Sequence, residues 1–229
     1  MKLLLVRNAE TLWNKEKRLH GYQDSPMTET GQQQMKTLAS ILENESIDVV
    51  YSSDLGRAID TAKQIVSHHQ ELEIQKRREL RERSHGIAEG KTQHDVFEEY
   101  PKLQQERLKN KYTYKNPKGE SYIDAEQRLR PFIEELKQKH FSHTVLLVSH
   151  AGINRIIIGV LSGLTPDETM AIDQPHDVVY VIDNADTAPE ISRMNQTGIE
   201  KGILRREHLK KPSFEEEESE NVELEDDWV

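Results

Sequence analysis

Two apolar runs in this chain end in the same way, Leu4-Leu5-Val6 in Arg7-Asn8-Ala9 and Leu146-Leu147-Val148 in Ser149-His150-Ala151. In an open α/β sheet ligands sit beyond the carboxyl ends of the strands, so neighbouring strands would carry both polar pairs into one crevice. A single pair of this kind is an ordinary strand end meeting water; the repetition points to a shared site. What is missing narrows the chemistry. The chain has no cysteine, which removes thiolate nucleophiles, disulfides and Cys-ligated metals. Its ten histidines, the pair His68-His69 included, lack the spacing of a zinc-binding helix. No metal site is expected, and the pair reads as helix surface.

The elements that must position these residues follow from hydrophobic periodicity. Lys2 to Val6, Ile47 to Tyr51 and Thr144 to Val148 are short apolar runs suited to strands buried on both faces. Thr28 can cap a helix carrying Met35, Leu38, Ala39, Ile41 and Leu42, and Ala58, Ala62, Ile65 and Val66 mark another, entered through Ser52-Ser53-Asp54. Ile123 to His140 is helical, with Pro131 expected to kink or divide it, and a further helix runs from Ile153 to Leu161. Leu72 to Tyr122 is charged and irregular, with one helix around Asp95 to Lys109 interrupted near Pro101. Val178 to Ile182 and Glu190 to Met194 are the last strands, separated by a turn-rich Asp183-Asn184-Ala185-Asp186. Strands alternating with helices imply an α/β fold, a mainly parallel sheet with helices on both faces.

The formal charge of -10 at first argues against an anionic ligand, but it is concentrated at one end. Pro212 to Val229 holds nine of the 41 carboxylates and no Lys or Arg, leaving 32 acidic against 31 basic residues in the rest. A nearly neutral body is compatible with a local cationic pocket, and no basic stripe suggests nucleic acid. The tail reads as a disordered, solvating extension. Leu3 to Val6 is far too short for a membrane span or a secretory core, so no membrane association is expected and the default location is cytoplasmic.

The wider pattern is more specific. Arg7-Asn8-Ala9-Glu10-Thr11-Leu12-Trp13-Asn14 is followed by Gly21-Tyr22-Gln23-Asp24-Ser25-Pro26-Met27-Thr28 and Gly31-Gln32. Then come Ser52-Ser53-Asp54-Leu55-Gly56-Arg57-Ala58 with Thr61-Ala62, and Leu80-Arg81-Glu82 with Gly86 and Glu89-Gly90. Gly119-Glu120-Ser121 and Val148-Ser149-His150-Ala151-Gly152 complete the series. In this order the motifs resemble the histidine phosphatase (phosphoglycerate mutase-like) superfamily over roughly the first 165 residues.

The resemblance implies a three-layer sandwich, with a helical insertion at about 83–122 lying over the site, in a single domain of residues 1–211 followed by the acidic tail 212–229. In that family a histidine attacks a phosphoryl group and becomes phosphorylated, and water then removes the phosphate; a mutase returns it to the substrate. No cofactor is required. Arg7, Arg57, Asn14 and His150 match the phosphate partners, and a guanidinium fork suits phosphate oxygens as charge develops on them. Glu82 matches the proton donor for the leaving alkoxide, with Glu10, Glu89 and Glu120 as alternatives by motif. His20, Gly21 and Tyr22 are substrate-side candidates, and Tyr22, Tyr112, Tyr114 and Lys118 could line a less selective pocket. The segment Lys109 to Ser121 lacks the arginine-rich insertion that mutases use, which favours a phosphatase acting on a small phosphorylated metabolite over a phosphoglycerate mutase. Homodimerisation is left open.

The departure is Asn8, which stands at the nucleophile position. A carboxamide nitrogen is delocalised and carries two hydrogens, so it cannot attack phosphorus as a neutral imidazole does. The expectation is a pocket that binds phosphoesters but turns them over poorly or not at all. A non-catalytic protein that binds phosphorylated ligands is the alternative from another functional class. His150 as a replacement nucleophile would require in-line geometry from a different strand and is set aside.

Overall fold

The computed structural model describes residues 1–69 and 71–206. The acidic tail read from 212 onward lies outside them. The chain begins with β1 (Lys2–Arg7), a single turn α1 (Leu12–Lys15), α2 (Glu29–Leu42), β2 (Val49–Ser53), α3 (Gly56–Val66) and β3 (Ile74–Arg77). After two short 3-10 turns it continues through α4 (Gln93–Glu99), α5 (Pro101–Lys109) and α6 (Tyr122–Lys139) to β4 (Thr144–Ser149). The last part is α7 (Ala151–Ser162), α8 (Pro166–Met170), β5 (Val179–Asp183), β6 (Glu190–Asn195) and β7 (Gly198–Lys201).

The seven strands form one sheet in the order β3-β2-β4-β1-β5-β6-β7. β3, β2, β4 and β1 pair in parallel, whereas β5, β6 and β7 are added antiparallel. The expected mainly parallel sheet is thus mixed, with five of seven strands running in one direction. The helices between β1 and β4 supply the crossovers that parallel neighbours need; β5 is reached from β4 through α7 and α8 but runs antiparallel to β1, and β5 to β7 are joined by short turns, which give antiparallel hairpins.

Alternation along the strands builds the two helical layers. Leu3 and Leu5 of β1, Val145 and Leu147 of β4, and Tyr180 and Ile182 of β5 face α6 and α7, packing on Leu129, Phe132, Ile133 and Ile153, Ile156, Ile157. Leu4, Val6, Leu146, Val148, Val179 and Val181 face the other way, onto Leu38 and Leu42 of α2 and Ala58, Ala62 and Ile65 of α3. Burying both faces is why these strands read as unbroken apolar runs.

Several local expectations change in detail. α6 is undivided at Pro131; the proline is exposed, so the carbonyl left without its N–H partner can turn to water. The interruption near Pro101 is the boundary between α4 and α5, where proline occupies the first helical turn. β3 falls in a stretch read as irregular, because Gln75, Lys76 and Arg77 lie on an edge strand with one neighbour and so tolerate charge. His68 and His69 lie just past the end of α3 rather than on its surface, and His69 Nε2 meets Leu42 O at 3.0 Å. Among the described residues no helix is long and apolar enough to cross a membrane, and no cluster of three or more His, Cys, Asp or Glu could hold a metal ion.

Candidate active site

β1 and β4 are adjacent, with Val6 opposite Val148 and Arg7 opposite Ser149. The ladder extends one residue further, since the Asn8 N–H donates to Ser149 O at 2.8 Å. Ser52 of β2 lies opposite Val148, so three strand ends open at the same level. Asn8, Ser53 and His150 follow directly, and the crevice expected from the repeated sequence endings is formed by strand register.

A small recess opens there, lined by Arg7, Asn8, Asn14, Arg18, His20, Arg57, Glu82, His85, His150 and Ala151. It gathers Arg7, Asn8, Asn14, Arg57, Glu82 and His150, together with His20. Gly21 and Tyr22 do not line it. Gly21 has a positive φ of 53° and offers its carbonyl to Arg57 Nη2 at 2.9 Å, while Tyr22 Oη meets Glu120 Oε2 at 3.3 Å. Tyr112 and Tyr114 also point elsewhere: Tyr112 stacks on Tyr122 in the core, and Tyr114 donates to Asn116 Oδ1 at 2.6 Å.

Each cation is held by the fold. Arg57 is 4% exposed and spends three N–H donors on Gln23 O (2.7 Å), Asp24 Oδ1 (2.8 Å) and Gly21 O (2.9 Å). Those bonds fix its guanidinium plane and leave donors for a ligand. Burial lowers its pKa, opposed by the charge of Asp24. Arg7 donates Nη1 to Gln174 O at 2.7 Å. Burial first, then repulsion from Arg155, pushes its pKa down to about 9, with Glu82 and Asp173 pulling back up. It therefore remains a cation at neutral pH. Asn14 does two things, since its Oδ1 caps α1 by accepting from the Thr11 N–H at 3.0 Å and its side chain also faces the recess.

Glu82 comes from outside the sheet. Its Oε2 accepts from Gly152 N at 3.0 Å and its Oε1 from Arg83 N at 2.8 Å, which sets the carboxyl at the first turn of α7. Gly152 is needed for that approach, because a Cβ there would lie 2.5 Å from Glu82 Oε1. The alternative carboxyls are occupied elsewhere. Glu10 Oε1 accepts from Thr28 Oγ1 at 2.6 Å, Glu89 Oε1 from the His85 N–H at 3.0 Å, and Glu120 pairs with Arg128 at 3.0 Å.

His150 departs from its expected part. Its Nδ1 lies 2.9 Å from Asn8 Oδ1 and its Nε2 lies 2.9 Å from Ser53 Oγ. Asn8 Nδ2 donates to Ala9 O at 2.9 Å, which orients the carboxamide with Oδ1 toward the imidazole and assigns the Nδ1–H tautomer. Both ring nitrogens are thus engaged within the protein, and the N–H expected to meet a phosphate is given to Asn8. Ser53, His150 and Asn8 share the connectivity of a hydrolase triad, but Ser53 is 0% exposed and absent from the recess. It orients the imidazole and does not attack.

Burial, and next to it the charge of Arg57, holds His150 well below the ordinary histidine range. The same two causes push His20 down to about 3, and its Nε2 sits between Thr11 Oγ1 (2.7 Å) and Ser25 Oγ (3.2 Å). His85 and His176 are also driven well below the usual value, burial first. Sequence reasoning missed Arg18, His85 and His176. Arg18 sits in the charged string Lys15-Glu16-Lys17-Arg18 with nothing to single it out, and His85 adjoins the motif glycine Gly86.

A family model of the histidine phosphatase superfamily (branch 1) matches residues 3–197. Phosphoserine phosphatase 1 of Hydrogenobacter thermophilus is 35% identical over 164 residues, 72% of this chain and 77% of that protein. A 2,3-bisphosphoglycerate-dependent phosphoglycerate mutase of Bartonella bacilliformis is 31% identical over 192 residues, 81% of this chain and 93% of its own length. Among solved structures, the alpha-ribazole phosphatase of Shigella flexneri superposes with a TM-score of 0.75 at 26% identity, over 90% of this chain and 96% of that one.

Proposed function

The chain belongs to branch 1 of the histidine phosphatase superfamily, and from that premise we propose that its recess is a phosphomonoester site in which Asn8 holds the place of the phosphoryl-accepting histidine. The observation that carries the reading is the convergence of Arg7, Arg57, His150 and Glu82 around Asn8 in one recess. Two guanidinium groups supply charge for the equatorial phosphoryl oxygens, and Asn14 adds an amide. Glu82 is the proton donor to the leaving oxygen. No metal or cofactor enters, and the ligand is a small phosphorylated metabolite. With a carboxamide at position 8 the expected behaviour is binding without appreciable hydrolysis.

Calorimetry with inorganic phosphate and vanadate tests the binding half. Saturable binding to the native chain is expected, and Arg57→Ala should weaken it by roughly 10- to 100-fold, the worth of one charge-assisted contact. Absence of binding at millimolar phosphate would leave only a vestigial crevice. The proton-donor role makes a separate prediction. Gly152→Ala forces Glu82 from its seat on α7, so in an Asn8→His background it should lower turnover by about tenfold or more while phosphate affinity changes little. Unchanged turnover would remove Glu82 from its assigned role.

A further inference from the structure

We infer that His176, on the segment between α8 and β5, is a positioning residue that aims side chain 8 into the recess. The inference rests on the reading of position 8 as the phosphoryl-transfer position. The peptide groups around Asn8 are held from two sides. On one side the Asn8 N–H is tied to Ser149 O of β4 at 2.8 Å. On the other, His176 donates its Nδ1–H to Asn8 O at 2.6 Å. With both main-chain groups fixed, the direction of the Cα–Cβ bond of residue 8 is fixed too.

The same segment holds the neighbouring residue, since Gln174 O receives Arg7 Nη1 at 2.7 Å. It is itself anchored: Tyr180 Oη donates to Asp173 O at 2.7 Å, and the Asp173 N–H donates to Leu204 O at 2.9 Å. The antiparallel pairing of β5 with β1, Val6 opposite Val179, brings the segment alongside residues 7 and 8. His176 does not line the recess, so it acts through residue 8 and not on the ligand.

In-line phosphoryl transfer depends on this aim, because a displacement of about 1 Å can cost on the order of 100-fold in rate. The binding cations are held by other contacts, so losing the His176 bond should act on kcat more than on KM.

The test uses the full chain carrying Asn8→His, assayed on p-nitrophenyl phosphate. Adding His176→Ala should lower kcat by about tenfold or more with KM within about threefold. His176→Asn, whose Nδ2–H can replace the imidazole donor, should restore most of the loss. An unchanged kcat in His176→Ala, or equal losses in the Ala and Asn variants, overturns the inference. If Asn8→His alone shows no hydrolysis, the phosphoryl-transfer reading fails instead. The positioning claim is then decided on the native chain by the His150 ring nitrogen shifts. They should move in His176→Ala as Asn8 Oδ1 releases Nδ1–H, and unmoved shifts overturn it.

Discussion

Asn8→His is expected to raise phosphomonoester turnover by about 10⁴-fold or more, the size of loss that follows removal of a nucleophile in other enzymes, or about 5.5 kcal/mol of barrier. The site is shaped for the change. A carboxamide matches the near half of an imidazole, and Asn8 Nδ2 already donates to Ala9 O at 2.9 Å. An imidazole Nδ1–H can take over that bond, which leaves Nε2 unprotonated and directed outward as the attacking atom. The substitution has a second effect. It removes the Oδ1 that now receives His150 Nδ1–H at 2.9 Å, freeing that donor for a phosphoryl oxygen. Hydrolysis of a phosphomonoester panel by the native chain and Asn8→His, in chelator, measures the gain, and trapping acid-labile phosphate at position 8 identifies the intermediate. If Asn8→His binds phosphate as tightly as the native chain and still does not hydrolyse any ester, the protein is a non-catalytic phospho-ligand binder.

The second large effect is on stability below neutral pH. His20, His85, His150 and His176 are all kept neutral in the fold, burial being the first cause in each case. In the unfolded chain each regains a pKa near the ordinary value of about 6.5. Between that value and the folded one, which for His20 is about 3, the unfolded state binds more protons than the native state. Stability therefore rises with pH through this window: it is fully present above about 6.5 and is lost as the pH falls. Four such groups draw on a total stability that for most domains is only about 5–15 kcal/mol, so a marked loss of stability is expected as the pH falls below about 6.5. Carboxylates held low by partners, such as Asp54 beside Arg81, titrate at lower pH and do not account for it. Urea midpoints at pH 7.5, 6.5 and 5.5 should fall steeply, and His20→Gln should remove up to one proton from the slope. A midpoint flat across that range contradicts the buried-neutral assignment.

Much of the site was legible before folding because it is written in contiguous residues. The apolar run before Arg7-Asn8 and its counterpart before Ser149-His150 announce strands buried on both faces, and polar residues just past such strands stand at a ligand-binding edge. The ordered motifs singled out Arg57 and Glu82 among many similar side chains. The same reading placed α2, α3, α6 and α7, because helical periodicity is local. It missed β3 and β7, since β3 is a charged edge strand and all four residues of β7 are exposed, so neither carries an apolar signature.

By itself, then, the sequence determined the alternating strands and helices, the absence of thiol chemistry, and an asparagine directly after the first strand. Only the tertiary structure decided which glutamate faces the recess, that His150 gives its N–H to Asn8, and that Gln174 and His176 grip Arg7 and Asn8 from more than 160 residues downstream. The physical reason is range. Periodicity and strand-end chemistry are properties of neighbouring residues, whereas hydrogen bonds between distant segments exist only once strand register and helix packing have placed their donors and acceptors within about 3 Å.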